Sequence, residues 1–187
     1  EGEIPRLGGF VSIIGFIFYW FFSDFSPAES LIGSILLSSI PLIIIGLKED
    51  IFQNTRASIR LIGMIASAII FFTINPVIFP YLEFPFFANL INNSILLQIG
   101  FFSFCILIVI NGNNLIDGSN GLMPMSIIMQ ILCLLFLAQA ESDYHFQKIL
   151  LFSVLPLLIF LIFNYPLGKI FMGDLGAYFF GFIISIF

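Results

Sequence analysis

Long apolar runs are the feature that most limits how this sequence can fold. A helix that crosses a bilayer needs about 20 mostly apolar residues, within a range of roughly 17–25. The runs do not alternate polar and apolar residues as the strands of a membrane barrel would. Their backbone N–H and C=O groups must therefore form their hydrogen bonds within helices. We therefore expect an all-α, polytopic membrane bundle with six to seven transmembrane helices, at Gly8–Phe22, Leu31–Leu47, Leu61–Tyr81, Ser94–Ile110, Leu122–Ala138, Lys148–Asn164 and from Leu175 onward.

The composition excludes three classes of protein. Of the 187 residues, 60% are hydrophobic and 9% are charged, whereas a soluble domain has about 25% charged residues. So few charges cannot cover a water-soluble surface, which excludes a soluble domain, a disordered chain and a nucleic-acid-binding protein. Because the sequence starts at Glu1 and stops inside an apolar run at Phe187, we expect residues 1–187 to be one membrane-embedded domain, truncated at both ends.

The basic residues predict the orientation of the bundle. The loops near 1–7, 48–60, 111–121 and 165–174 fall on one side of the membrane. They contain five of the six basic residues, which are Arg6, Lys48, Arg56, Arg60 and Lys169. Because Lys and Arg are enriched in cytoplasmic loops, we place this side in the cytoplasm and the protein in the plasma (inner) membrane.

Three of these loops carry residues suited to phosphate and metal chemistry. Glu49 and Asp50 are adjacent carboxylates, Asp117 lies in a loop rich in Asn and Gly, and Asp174 follows Lys169. Mg²⁺ binds through one or two carboxylates plus substrate phosphates, and Lys can neutralise a phosphate. Taken singly, each loop also fits a plainer interpretation: interfacial charges, a polar turn, or a helix N-cap at Asp174. Together, on one membrane face, they predict a phosphate-and-metal site.

Four segments resemble the motifs of one enzyme family, the polyprenyl-phosphate N-acetylhexosamine-1-phosphate transferases (glycosyltransferase family 4). These segments are Pro5–Gly9, Gly46–Asp50, Asn114–Leu122 and Asn164–Gly176. The resemblance implies transfer of an N-acetylhexosamine 1-phosphate from a UDP-sugar to polyprenyl phosphate, typically undecaprenyl phosphate, with release of UMP. It implies a requirement for Mg²⁺, with Mn²⁺ as a substitute, and a start to cell-envelope glycan synthesis. It also implies a helix before these motifs, further helices after them, and a homodimer.

The resemblance also implies roles for the matching residues. Asp174 and Asp50 would bind the metal, and they would form the catalytic group together with Glu49 and Asp117. Glu49 stands where the family usually has Asp, so its carboxylate is one methylene longer. The nucleotide and the other substrate groups would be bound by Asn114, Gly118, Asn120, Asn164, Phe171, Lys169 and Arg60. Asn120 stands where many members have Asp, and Phe171 would stack on the base.

Two other functions remain as alternatives. A membrane transporter would use polar residues within its spans, whereas the acids here lie in loops on one face. A catalytically inactive homologue would fit the departures at Glu49 and Asn120, although Asp50, Asp117 and Asp174 argue against it. A lipid phosphatase would need a His or Cys nucleophile or an arginine cradle, and the loops contain neither.

Overall fold

The computed structural model describes residues 5–6, 8–22, 31–75, 79–80, 82–83 and 88–187. The described part is built from helices, which confirms the all-α prediction. In chain order these are α1 (Gly8–Phe22), α2 (Leu31–Ser38), α3 (Ile40–Phe52), α4 (Ala57–Ile74), α5 (Ala88–Asn92), α6 (Ile95–Leu115), α7 (Leu122–Ala140), α8 (Tyr144–Asn164) and α9 (Gly173–Ile186).

The predicted number of six to seven transmembrane helices is wrong. Within the described ranges, α4, α6, α7 and α8 are long and apolar enough to cross a membrane, and the bent pair α2–α3 raises the number to five. The first and last predicted spans correspond to α1 and α9, which contain 15 and 14 residues. As described, both helices fall below the roughly 17–25 residues that a span needs, so they are not counted as spans. Helix α1 borders residues outside the described part, and α9 reaches the last residues of the sequence.

The predicted span Leu31–Leu47 is broken in the middle. Helices α2 and α3 meet at Ser39 with a bend of 45°. Pro41 lies in the first turn of α3. A proline ring clashes with the turn before it and has no N–H to donate, so it begins a helix more readily than it continues one. The bend therefore follows from a residue that the apolar pattern ignores.

Two further boundaries differ from the prediction. Helix α6 extends to Leu115, so the first part of the predicted Asn-rich loop is helical. The buried Asn113 amide is satisfied there, because its Nδ2 donates to the Val109 carbonyl and its Oδ1 accepts from Gln130 Nε2 of α7. Helix α4 ends at Ile74, and the predicted end of that span, with Pro76 and Tyr81, lies outside the described residues.

Helix α9 forms the centre of the bundle. Eleven of its fourteen residues are buried, and it packs against α1, α3 and α6. Its approach to α1 is close, since a Cβ on Gly9 would lie 2.5 Å from the Gly176 Cα. This packing fixes the position of α9, so its first turn, which contains Asp174, lies at one end of the bundle.

Candidate active site

Three loops that are distant in sequence meet at one end of the bundle. The Asp50 carboxylate, near the end of α3, accepts hydrogen bonds from the backbone N–H groups of Asp174 (2.8 Å) and Leu175 (3.1 Å). Asn164, the last residue of α8, accepts a hydrogen bond from the Gly121 N–H, just before α7. These contacts join the end of α3 to the start of α9, and the end of α8 to the start of α7.

A polar cleft of about 380 Å³ lies at this junction. Five of the predicted site residues line it, and they share the cleft with a basic residue that the site prediction omitted. The lining residues are Arg6, Asn114, Leu115, Asp117, Gly118, Phe171, Gly173 and Asp174. The cleft therefore combines two carboxylates, one guanidinium, one side-chain amide and one aromatic ring.

The Asp174 carboxylate is held by two side chains. The Tyr178 hydroxyl donates a hydrogen bond to its Oδ2 (3.0 Å), and Arg60 Nη1 lies 3.6 Å from the same oxygen. Residues four apart on a helix lie on the same face, so Tyr178 is placed beside Asp174 by the register of α9. Both contacts use Oδ2, which leaves Oδ1 available for a further partner. Arg60 does not line the cleft itself, and its contact with the site is its ion pair with Asp174.

Asp117 lies in the turn between α6 and α7. Burial raises the pKa of its carboxyl to about 7, and the negative charges of Asp174 and Asp50 add to this rise. The Gly173 N–H and the Arg6 guanidinium lower the same pKa but do not offset the burial. Asp117 therefore holds a proton at higher pH than an exposed aspartate does. A cation in the cleft would favour the ionised form.

The donor set decides which kind of metal the cleft suits. The described residues include no group of three or more His, Cys, Asp and Glu side chains that could hold a metal. Asp117 and Asp174 do line the same cleft. Mg²⁺ is usually held by one or two carboxylates and completes its shell with water and substrate phosphates. The two carboxylates fit that mode of binding, and they do not fit a metal held by protein ligands alone.

The paired acids at the end of α3 do not line the cleft. Glu49 Oε2 accepts a hydrogen bond from the Thr55 N–H (2.8 Å), which closes the turn after α3. Both oxygens of Asp50 accept backbone N–H groups of α9. The Glu49 side chain thus bonds to the turn after its own helix, and the Asp50 side chain bonds to another helix. The predicted catalytic role of Glu49, and the predicted catalytic and metal-binding roles of Asp50, stay predictions.

Three predicted substrate-binding residues lie in the walls of the site. Asn164 is 3% exposed, and its Nδ2 donates to the Ile170 carbonyl (2.8 Å). Asn120 is exposed, with Nδ2 3.5 Å from the Pro166 carbonyl. Lys169 is also exposed, and its backbone N–H donates to the Phe163 carbonyl (3.1 Å). Of the three, Asn164 fixes the two loops most directly.

Sequence reasoning missed Arg6 as a site residue. The segment before α1 pairs with the segment before α9. The Phe171 N–H donates to the Pro5 carbonyl (3.0 Å), and the Gly8 N–H donates to the Phe171 carbonyl (3.1 Å). This pairing brings Arg6 to the edge of the cleft. The available signal was its position inside the Pro-x-x-Gly-Gly motif, of which Leu7 lies outside the described residues.

Tyr178 was missed for a different reason. It lies inside the last apolar run, where a tyrosine is expected to be a packing residue. Its spacing of four residues from Asp174 at a helix start was the only signal of a contact.

The fold and the cleft together define a multi-pass helical membrane protein with a charged site at one end of its helices. The sequence profile described as Glycosyl transferase family 4 matches residues 32–187, and the chain belongs to this family. The family that the four motifs predicted is thereby confirmed.

Individual relatives show the same similarity. The chain is 35% identical to a Saccharolobus solfataricus protein named as a putative UDP-N-acetylglucosamine–dolichyl-phosphate N-acetylglucosaminephosphotransferase, over 98% of the chain and 57% of the relative. A Sulfolobus acidocaldarius protein with the same name is 30% identical, over 99% of the chain and 58% of the relative. The phospho-N-acetylmuramoyl-pentapeptide-transferase of Dictyoglomus thermophilum is 32% identical, over 97% and 58%. The chain thus spans less than two thirds of each relative.

Proposed function

We propose that this chain forms part of an enzyme that transfers an N-acetylhexosamine 1-phosphate from a UDP-sugar to polyprenyl phosphate and releases UMP. One observation carries the proposal: Asp117, Asp174 and Arg6 line a single cleft at the end of an apolar bundle. One substrate is soluble and anionic, and the other is a phosphate tethered to a lipid. Such substrates meet at the edge of a bilayer, where opposite charges and a metal can offset their repulsion.

The names of the relatives support the choice of substrates. Two of them name UDP-N-acetylglucosamine and dolichyl phosphate, so polyprenyl phosphate is the acceptor class that we propose. Undecaprenyl and dolichyl phosphate are both members of this class, and a direct assay distinguishes them. The five basic residues of the loops near 1–7, 48–60 and 165–174 support a cytoplasmic active site in the plasma membrane.

The proposed reaction is an in-line displacement at phosphorus. An oxygen of the polyprenyl phosphate attacks the sugar-bearing phosphorus of the UDP-sugar, the bond from that phosphorus to the UMP oxygen breaks, and UMP leaves. The product is a lipid-linked sugar pyrophosphate. The second pKa of a phosphomonoester is about 6, so the attacking phosphate is already mostly doubly ionised at pH 7. Positioning and charge neutralisation therefore supply most of the catalysis, and no general base is needed.

The cleft residues divide these tasks. Asp117 and Asp174 would hold Mg²⁺, for which Mn²⁺ is a chemical substitute, and the bound ion would neutralise phosphate charge. Arg6 would neutralise a further phosphate charge, and Asn114 and Phe171 would bind the base through an amide and a ring face. Gly118 leaves open space beside Asp117, since a Cβ there would have no neighbour within 4 Å.

Arg60 and Tyr178 act differently, because they bond to Asp174. We assign them the task of orienting that carboxylate, and this replaces the phosphate contact that the motif match suggested for Arg60. Residues that orient a metal ligand typically change activity or metal affinity by about 10- to 100-fold when they are removed.

The test measures UMP release by the full-length protein in detergent with Mg²⁺. Undecaprenyl and dolichyl phosphate are offered in turn with a panel of UDP-N-acetylhexosamines. We expect release that needs both lipid and Mg²⁺, and that is lost in Asp117→Asn and Asp174→Asn. Asp143→Asn is the matched control, since Asp143 caps α8 by accepting the Phe146 N–H (3.0 Å) and has no contact with the cleft. No UMP release by folded protein with any donor and either lipid would contradict the proposal.

A further inference from the structure

The Asp50 carboxylate makes two bonds to the first turn of α9. Oδ1 accepts from the Asp174 N–H (2.8 Å) and Oδ2 from the Leu175 N–H (3.1 Å), across 124 and 125 residues of sequence. The first N–H groups of a helix have no partner inside the helix. A carboxylate there forms charge-assisted bonds and interacts favourably with the helix dipole. The residue at the N-cap of α9, Met172, offers no side-chain bond of its own.

The surrounding backbone is shaped to receive this carboxylate. Gly173 has φ +77°, and a Cβ on it would lie 2.7 Å from both Asp50 oxygens. Glycine adopts this φ without a steric penalty, and here it also leaves the space that the carboxylate occupies. Gly46 lies one turn before Asp50 on the same face of α3, and a Cβ there would lie 2.6 Å from the Leu175 Cα. α3 therefore approaches the start of α9 at both positions.

We propose that Asp50 is a positioning residue that clamps the first turn of α9 and thereby sets the Asp174 carboxylate in the cleft. It acts through Asp174 and does not itself bind metal or substrate. Three observations support this: both Asp50 oxygens are engaged by α9, Asp50 does not line the cleft, and the residue whose N–H it accepts is Asp174 itself. The inference rests on the proposed function only in so far as Asp174 serves that reaction.

The first test is hydrogen–deuterium exchange in the full-length protein without metal or substrate. Asp50→Ala removes both acceptors, and we expect amides in a peptide covering residues 173–178 to exchange about 10-fold faster or more, as for loss of a charge-assisted bond. Asp143→Ala is the matched control, because it removes the cap of another helix. It should speed exchange at the start of α8 and leave the start of α9 unchanged. Unchanged exchange at 173–178 in Asp50→Ala would overturn the clamp.

The second test separates positioning from general loss of structure. Asp50→Asn keeps an acceptor oxygen and the shape of the side chain, so both its exchange and its kcat should lie between those of wild type and Asp50→Ala. For Asp50→Ala we expect kcat to fall by about 10- to 100-fold, as for other residues that support a metal ligand. The KM for the UDP-sugar should change less than about threefold, since the nucleotide contacts are kept. A large rise in KM at an unchanged kcat would contradict the proposal.

A third variant tests the clamp from its other side. Gly173→Ala places a Cβ against the Asp50 carboxylate, and we expect the same rise in exchange at residues 173–178. Gly173→Ala also strains the backbone at φ +77°, but because both substitutions break the same contact, the double variant should be less impaired than the product of the two single effects. Independent, multiplicative effects would overturn the clamp. If the wild-type protein releases no UMP, the proposed function fails while the exchange data still decide the clamp; if it is active and exchange is unchanged, the clamp alone fails.

Discussion

Asn164 offers a direct test of how the cleft walls are held. Its Oδ1 accepts the Gly121 N–H, its Nδ2 donates to the Ile170 carbonyl, and its side chain is 3% exposed. Asn164→Ala leaves both backbone groups without this partner. A buried polar group that loses its partner costs about 1–3 kcal/mol. Because Gly121 is buried and Ile170 is half-buried, we expect a total loss of about 2–4 kcal/mol.

Asn92 provides a matched control. Its Oδ1 accepts the Leu82 N–H (3.2 Å) and its Nδ2 donates to the Leu82 carbonyl (2.8 Å), so it also bridges two backbone groups. Asn92 is only half-buried, and water can replace its bonds after truncation. We therefore expect Asn92→Ala to cost about 1 kcal/mol or less. The contrast between the two variants isolates the effect of burial.

The assay is thermal unfolding in detergent, followed by circular dichroism, together with a separate measurement of UDP-sugar affinity. One kcal/mol shifts the Tm of a protein of this size by about 2–4 °C, so Asn164→Ala should lower it by on the order of 10 °C. The motif match instead implied that the Asn164 amide binds the nucleotide. An Asn164→Ala protein with unchanged Tm and strongly weakened UDP-sugar binding would refute the structural reasoning.

Four further predictions concern the cleft and its supports. Because the pKa of Asp117 is raised to about 7, Mn²⁺ binding followed by electron paramagnetic resonance should strengthen as pH rises from 6 to 8 and lose this dependence in Asp117→Asn. By the same shift the native state binds the extra proton, so the stability of the wild type should fall relative to that of Asp117→Asn as pH rises from about 4 to 7, and a constant difference would contradict the assignment. Tyr178→Phe removes the donor to Asp174 Oδ2 but keeps the ring, so kcat should fall by about 10-fold or more at an unchanged Tm, and an unchanged kcat would exclude an orienting role. Gly121 has φ +79°, and a Cβ on it would lie 2.9 Å from the Tyr165 ring, so Gly121→Ala should cost more than about 1 kcal/mol in chemical denaturation, and a neutral variant would show that the turn relaxes.

Much of the fold could be predicted from the apolar runs, and the errors have physical causes. An apolar run indicates that a segment is helical and apolar, but it does not give the length of the helix. Helix α9 is buried among its neighbours, and such tertiary packing supplies most of the stability of a helix in a bundle. The bend at Ser39 depends on one proline. Near the end of α6, Asn113 accepts a hydrogen bond from Gln130 of α7, and the sequence does not disclose this contact.

The cleft was predictable to the extent that its residues follow one another in the motifs. Asn114, Asp117 and Gly118 are close together in one motif, and Phe171 and Asp174 are close together in another. Once the two motifs meet, most of these residues therefore line the same cleft. The residue type alone does not show whether a polar side chain binds a ligand or forms hydrogen bonds to the protein backbone. Asn164 and Asp50 bond to backbone groups 43 to 125 residues away, and those partners are known only once the helices are packed.

Two interpretations were weighed for Asp174 in the sequence, helix cap and metal ligand. The structure gives the capping contacts to Asp50, and the metal-ligand role of Asp174 stays a prediction. The N–H groups that open α9 are taken by Asp50, which comes from another helix. The Asp174 side chain therefore does not have to cap its own helix. It lines the cleft, where it contacts Tyr178 and Arg60. A carboxylate supplied from α3 thus allows a second carboxylate, in the first turn of a deeply buried helix, to face the polar end of the bundle. The paired-acid motif and the Gly-Asp motif depend on each other for this reason, because neither fixes the position of Asp174 alone.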